Sequence, residues 1–127
     1  MGRQSGTKGV ALTPAQLLLC DYIRDSLTEE RAVREVPMFG GLSFMVDERM
    51  IVAAQKNGDL LVRIDPAQSK ELLCLPDTTQ AEMGKGRSMW LSWVVAKGTL
   101  TATQVSFWIG VAMAYRKRTI AQGQNRS

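Results

Sequence analysis

The stretch Met38-Phe39-Gly40-Gly41-Leu42-Ser43-Phe44-Met45-Val46 and the two apolar runs that follow it, residues 49–54 and 60–64, decide the fold class. Asn57-Gly58 separates the second and third runs and indicates a hairpin, because a two-residue type I′ turn needs positive φ at both central positions. Asp47-Glu48 separates the first two runs. Glutamate disfavours positive φ, so we expect a bulged or longer turn there. The sequence therefore predicts three consecutive strands.

Three segments around these strands carry helix start signals. Thr13-Pro14-Ala15-Gln16 has the pattern of a capping box and predicts a helix that ends near Leu27. Asp65-Pro66 places a capping side chain before a proline and predicts a short second helix. Thr101-Ala102-Thr103-Gln104 is another capping box, and the helix that it begins is expected to end at Arg116-Lys117-Arg118.

The first and last helices each have an apolar stripe at helical spacing, which predicts the side that faces the core. The predicted stripes are Leu17, Leu18, Cys20, Ile23 and Leu27 in the first helix, and Val105, Trp108, Ile109, Ala112 and Tyr115 in the last.

Two more strands are predicted between the second and third helices, within residues 78–83 and 89–95, with Gly84-Lys85-Gly86-Arg87 as the turn between them. Residues 33–36 are expected to be an extended connector, because Pro37 disfavours helix in the residue before it. The order α-β-β-β-α-β-β-α predicts an α+β fold with two layers, in which helices pack on an antiparallel sheet.

The length of 127 residues indicates one domain. We expect a disordered leader over residues 1–12, a folded domain over 13–118 and a disordered basic tail over 119–127. The net charge of +4 comes from the ends, since residues 1–12 and 116–127 hold six of the 16 basic residues and none of the 12 acidic ones. The middle of the chain therefore carries a net charge of −2, and only the tails favour nucleic-acid binding.

Several kinds of chemistry are disfavoured by composition. The chain has no histidine, so imidazole-based triads and metal sites are excluded. Cys20 and Cys74 lack metal-ligand spacing and are predicted to be buried free thiols, with a disulfide between them as the alternative. Gly84-Lys85-Gly86-Arg87-Ser88 lacks the first glycine of a phosphate-binding loop. We therefore expect no enzyme activity, cofactor or metal, and with neither a signal peptide nor a membrane-spanning run we expect a cytoplasmic protein.

Three groups of residues have both a structural and a functional interpretation. Gly40-Gly41 suits a bend, a bulge or close backbone packing, or else a recognition surface. Arg63 suits an exposed strand face or the lining of a groove. Arg116-Lys117-Arg118 suits the C-terminal end of a helix dipole or a phosphate contact. Lys85 and Arg87 suit a loop or, more weakly, a contact with an anion.

Several landmarks occur in a characteristic order: Met38-Phe39-Gly40-Gly41, Phe44, Arg49-Met50, residues 60–64 before a proline-started helix, Gly86-Arg87-Ser88-Met89, Trp93, Trp108 and Ala112. In this order the chain resembles the N-terminal domain of the TfoX/Sxy competence regulators over about residues 14–118. The resemblance implies a two-layer α+β domain without catalytic activity. Some members are associated with regulation of DNA-uptake genes through a cyclic-AMP-responsive activator. The chain ends at Ser127, and we expect a stand-alone copy that lacks the helical C-terminal domain of the full-length regulators.

The leading functional hypothesis is a protein-interaction module linked to transcriptional or competence-type regulation. Its candidate interaction residues are Met38, Phe39, Gly40, Gly41, Arg63 and Arg87. The alternative is a nucleic-acid-associated protein whose tails bind phosphates, with Arg116, Lys117 and Arg118 as candidate contacts. A third hypothesis is a small-ligand binder or enzyme that places Arg63, Lys85 or Arg87 around an anion. A protein partner is expected, with a homodimer and DNA as further candidate partners.

Overall fold

The structure, a computed structural model, describes residues 12–38, 41–81, 92–98 and 100–126, without the side chains of Met38 and residues 120–126. The helices are α1 (Pro14–Ser26), α2 (Ser69–Leu72), which follows a 3₁₀ turn over Pro66–Gln68, and α3 (Ala102–Arg126). The strands are β1 (Val33–Met38), β2 (Gly41–Val46), β3 (Arg49–Gln55), β4 (Leu60–Arg63), β5 (Thr78–Gln80) and β6 (Trp93–Ala96).

The strands form one antiparallel sheet in the order β1-β2-β3-β4-β6-β5. The α+β class and the predicted order of helices and strands are confirmed. The sheet also contains β1, which the sequence predicts to be only an extended connector. Pro37 is tolerated in β1 because the strand lies at the edge of the sheet, where a missing N–H group need not break the ladder. Phe39 and Gly40 lie outside the described residues.

Both hairpin turns differ from the prediction. The β2–β3 turn has positive φ at both central residues, which was expected of the β3–β4 turn instead. Asp47 and Glu48 both have positive φ, 52° and 65°, and form the two-residue turn between β2 and β3. This local strain is offset by ion pairs, since Glu48 bonds Arg34 of β1 and Asp47 bonds Arg116 of α3. The bulge expected near this turn lies inside the strands, where the register shifts between Phe44 and Met45.

In the β3–β4 hairpin the Gln55 N–H donates to the Asp59 carbonyl at 2.9 Å, which leaves three residues, 56–58, in the loop. The Gly58 N–H donates to the Gln55 carbonyl at 2.9 Å, and Gly58 has φ of 89°, whereas Asn57 keeps a negative φ. A type I turn followed by a left-handed glycine gives this geometry. Gly58 also lies against helix α1, because a Cβ atom there would come within 2.9 Å of the Ala15 Cβ.

The main core lies between one face of the sheet and the two long helices, α1 and α3, which also contact each other. The buried apolar residues of these two helices are Leu19, Cys20, Ile23, Val105, Trp108, Ile109 and Ala112. Leu17 and Leu18, predicted to face the core, are instead 49% and 47% exposed. Leu19 takes their place because α1 is rotated to bury Gln16, three residues before it.

Both predicted capping boxes are present. In α1, the Gln16 N–H donates to the Thr13 hydroxyl at 3.1 Å, and the Thr13 N–H donates to the Gln16 side-chain oxygen at 3.1 Å. In α3, Thr101 and Gln104 make the same reciprocal pair at 2.9 and 3.2 Å. Asp65 caps the 3₁₀ turn by accepting from the Ala67 N–H at 3.0 Å. Local start signals therefore place the beginnings of α1, α3 and the 3₁₀ turn, whereas α2 itself begins at Ser69 without a side-chain cap.

The α1 capping box is also a tertiary contact. Gln16 is 1% exposed, and its Nε2 donates to the Ala54 carbonyl of β3 at 3.0 Å. The Thr13 hydroxyl donates to the Lys56 carbonyl in the β3–β4 turn at 2.7 Å. At the other end of α1, Arg24 makes two hydrogen bonds of 2.8 Å to the Glu35 carboxylate of β1. Helix α1 is thus fixed to the sheet at both of its ends.

Gly41 faces the same Ala54 carbonyl from β2. A Cβ atom at Gly41 would overlap the Ala54 oxygen and lie 3.1 Å from the Gln55 Cα. Of the interpretations open for this glycine, close backbone packing is the one that the geometry supports. The close approach lies at the point where Gln16 reaches β3.

Helix α3 is longer than predicted. It continues to Arg126, so residues 119–126, expected as a disordered tail, are helical. Arginine and lysine favour helix throughout its length as well as at its C-terminus, so the run 116–118 did not mark the end. The Arg118 guanidinium bonds the Asp65 carboxylate at 3.0 Å, which holds this part of α3 against the start of the 3₁₀ turn.

We predict that Gly41→Ala lowers the free energy of unfolding by about 2–3 kcal/mol, because the added methyl group must displace the backbone of β3. Urea unfolding followed by circular dichroism measures this change. The control is Gly110→Ala in α3, where a Cβ atom meets nothing within 4 Å. That substitution should raise stability by about 0.5–1 kcal/mol, and equal effects at both glycines would contradict the packing role of Gly41.

Candidate functional site

Arg63, at the end of β4, is half-buried between two aromatic rings. Its guanidinium carbon lies 5.8 Å from the ring centroid of Trp93 on β6 and 5.6 Å from that of Tyr115 on α3. Both distances are within the range of cation–π attraction. The Arg63 Nε–H is buried, and no hydrogen-bond partner for it lies in the described part of the chain. Arg63 therefore lines a cleft, the second of the two interpretations that the sequence left open.

The arginine cleft, as we call it, lies between α3 and the ends of β3 and β4. It is lined by Arg49, Met50, Ile51, Arg63, Ala112, Tyr115, Arg116 and Thr119. Three arginines thus share one small depression. The bulge in the β2–β3 pairing leaves Ile51 as an extra residue on β3, which puts Arg49, Met50 and Ile51 at the cleft.

The arginines of the cleft differ in their partners. Arg116 is 11% exposed, bonds Asp47 and reaches the Val46 carbonyl at 3.4 Å. Within the part of the chain that the structure describes, neither Arg49 nor Arg63 has an acidic partner. The cleft therefore has two uncompensated positive charges, and guanidinium groups in such a setting suit oxyanions.

A second surface lies near the other end of α3. This apolar groove, of about 320 Å³, runs between the first turns of α3 and the β5 edge of the sheet. Its lining residues are Leu75, Pro76, Asp77, Thr78, Ala96, Lys97, Leu100, Thr103, Gln104, Phe107 and Trp108. Phe107 is 48% exposed and Leu75 is 37% exposed, so two large apolar side chains of the groove are open to solvent.

The structure separates the predicted interaction residues. Met38 and Gly41 form the paired ends of β1 and β2, whereas Arg63 lies at the opposite end of the sheet, in the arginine cleft. Phe39, Gly40, Lys85 and Arg87 lie outside the described residues, so the predicted roles of those four are untouched by the geometry.

Two of the three residues predicted to contact phosphate already pair with carboxylates. Arg116 and Arg118 bond Asp47 and Asp65, whereas Lys117 is exposed. Sequence reasoning did not select Arg49 or Phe107 as site residues. Arg49 reads as the first residue of a strand, and only the bulge and the packing of α3 bring it beside Arg63. Phe107 falls outside the predicted apolar stripe of α3, which marks it as exposed, but its spacing does not show that it lines a groove.

The two cysteines are free, as predicted, but only one is buried. Burial raises the pKa of the Cys20 thiol to about 11, with Arg24 opposing this rise. Cys74 is exposed, because the short helix α2 ends before it, and its thiol lies 3.4 Å from the Lys70 carbonyl. The Cys20 thiol is therefore protonated and unreactive at neutral pH.

Across residues 12–38, 41–81, 92–98 and 100–126, no three metal-ligating side chains come together. Over the same ranges, no helix combines the length and the apolar character needed to cross a membrane.

Comparisons with known proteins agree with this fold. The family model of the TfoX N-terminal domain matches residues 25–116. None of the curated proteins matches the chain. Among solved structures, the crystal structure of Deinococcus radiodurans protein DR2400, described as a DUF419 domain, is similar with a TM-score of 0.56 and 20% identity. The similarity covers 74% of this chain and 75% of that one, and at this identity it concerns the fold alone.

Proposed function

We propose, since the chain belongs to the TfoX N-terminal domain family, that it is a non-catalytic protein-interaction domain linked to transcriptional or competence-type regulation. The observation that carries the protein-binding part is the apolar groove beside α3. The lack of histidine in the chain supports a role without acid–base catalysis. The regulatory part rests on the family.

The groove has the character of a binding surface for apolar side chains. Phe107 packs edge-on against the Trp108 ring, with 5.0 Å between the ring centroids, so its ring is held in place although half of it is exposed. A fixed, exposed aromatic ring loses little conformational freedom when a partner covers it. Leu75 and Leu100 supply further apolar surface on either side.

The backbone at the groove suits an extended segment of a partner protein. β5 is the last strand in the order of the sheet, and beside Thr78 and Thr79 no further strand lies among the described residues. Thr78 of β5 and Ala96 of β6 are paired and both line the groove. An extended segment of the partner can therefore lie along β5 while its apolar side chains contact Phe107.

We predict that Phe107→Gln abolishes capture of the partner, because it removes the largest exposed apolar side chain of the groove. The measurement is affinity capture from the native host with quantitative mass spectrometry. Leu17→Gln is the matched control, since Leu17 is 49% exposed against 48% for Phe107 and lies on α1, outside the groove. Capture that survives Phe107→Gln, or a robust catalytic turnover by the purified protein, would contradict the proposal.

The alternative, nucleic-acid binding through the basic C-terminal residues, has weaker support. Arg116 and Arg118 are engaged by Asp47 and Asp65, so a phosphate must compete with carboxylates for both. Lys117, which is exposed, remains for a phosphate contact.

For this reason we predict no tail-dependent shift of host DNA at physiological salt in a mobility-shift assay. The test compares the intact chain with a form that lacks residues 119–127 and carries neutral residues in place of Arg116, Lys117 and Arg118. A shift that falls steeply with salt and disappears in the altered form would favour the nucleic-acid alternative.

A further inference from the structure

We infer that the arginine cleft is a binding site for a phosphate group, either free or as a monoester. This inference is independent of the proposed function, because the cleft and the apolar groove lie at different ends of α3. Arg116 follows Phe107 by nine residues, or about 13 Å along the helix axis. A ligand in the cleft therefore need not touch the groove.

The first argument is the way in which Arg63 is held. Trp93 and Tyr115 both lie within 6 Å of its guanidinium carbon, one on β6 and the other on α3. The planar N–H fork of a guanidinium matches two oxygens of a phosphate group. The aromatic contacts fix the orientation of Arg63 before any ligand arrives.

The second argument is an unsatisfied donor. Among the residues that the structure describes, the buried Nε–H of Arg63 has no acceptor, whereas buried N–H groups in folded proteins nearly always have one. Two further arginines line the same cleft and add donors. An oxyanion in the cleft can supply the missing acceptor.

The third argument is charge. Arg116 is neutralised by Asp47, and the nearby Glu48 and Asp65 are paired with Arg34 and Arg118. Among the described residues, Arg49 and Arg63 keep a charge of +2 without a carboxylate partner, which matches a phosphate dianion better than a single carboxylate. Thr119 and Tyr115 add hydroxyl groups to the lining.

The size of the cleft limits the ligand. Its volume is about 10 Å³, which is room for one water-sized group. One oxygen of a phosphate group can enter it while the rest of the group stays at the mouth, and an enclosed nucleoside does not fit. Arg49, which is exposed, can close over the bound group from the solvent side.

The test is a titration of the intact protein with inorganic phosphate, followed by the ¹⁵N-resolved Nε–H signals of its arginines. We expect saturable shifts of the Arg63 and Arg49 signals, and a parallel titration with glycerol 3-phosphate tells whether the free ion or a monoester binds more tightly. Acetate at the same ionic strength should leave both signals in place. Equal responses to acetate and phosphate, or no response of Arg63 to phosphate, would overturn the inference.

Substitutions locate the site. Arg49→Gln should raise the dissociation constant for phosphate about tenfold, as expected for the loss of one charge-assisted hydrogen bond. Arg31→Gln is the control, because Arg31 is an exposed arginine outside the cleft. Arg63→Gln should abolish binding, but it also removes the contacts with Trp93 and Tyr115, so Arg49→Gln is the decisive substitution. Equal weakening by Arg49→Gln and Arg31→Gln would show unspecific charge attraction and overturn the inference.

Discussion

The side-chain amide of Gln16 joins the first helix of this domain to the centre of its sheet. Its oxygen completes the capping box of α1, and its nitrogen bonds the Ala54 carbonyl of β3. Because the amide is buried, neither bond can be replaced by water without a cost. A single side chain therefore sets where α1 begins and how α1 lies on the sheet. Gly41 fits this arrangement, since its missing side chain leaves the Ala54 carbonyl accessible.

The position of α1 determines the rest of the helical layer. Helix α3 packs against α1 and covers β3 and β4, burying Val105, Trp108, Ile109 and Ala112. The sheet is wider than these two helices, and each end of α3 meets a different part of it. Near its beginning α3 leaves the β5 edge uncovered, which creates the apolar groove. Further along, Tyr115 and Arg116 meet the bulged end of β3, which creates the arginine cleft.

Local chemistry made much of this fold predictable from the sequence. The two Thr-x-x-Gln boxes and Asp65 place the helix starts, since each depends on residues three positions apart or fewer. The turns were not predictable in the same way. Glu48 accepts a positive φ because Arg34 and the paired strands hold it, and these partners lie far away in the sequence.

The site was predictable only in part. Arg63 stands out in the sequence as an arginine in an apolar strand, and the alternative that it lines a groove was available. The neighbours of Arg63 in the cleft were not predictable, because Arg49 reaches the cleft through a bulge and Tyr115 reaches it through the packing of α3. Tyr115 falls in the apolar stripe of α3, so spacing alone assigns it to the core. The groove beside Phe107 likewise depends on tertiary structure, because it forms where α3 meets residues 75–78 and 96–97.

The claim that one buried amide fixes the helical layer is tested most directly by comparing Gln16→Ala with Gln104→Ala in urea unfolding. Both substitutions remove the glutamine of a capping box, but Gln104 is exposed and bonds only its own helix start. We expect Gln104→Ala to cost less than about 1 kcal/mol. Gln16→Ala should cost about 2–4 kcal/mol, because it also removes a buried hydrogen bond and leaves a cavity. Equal losses for the two substitutions would show that the bond to Ala54 contributes nothing beyond capping, and would contradict the account.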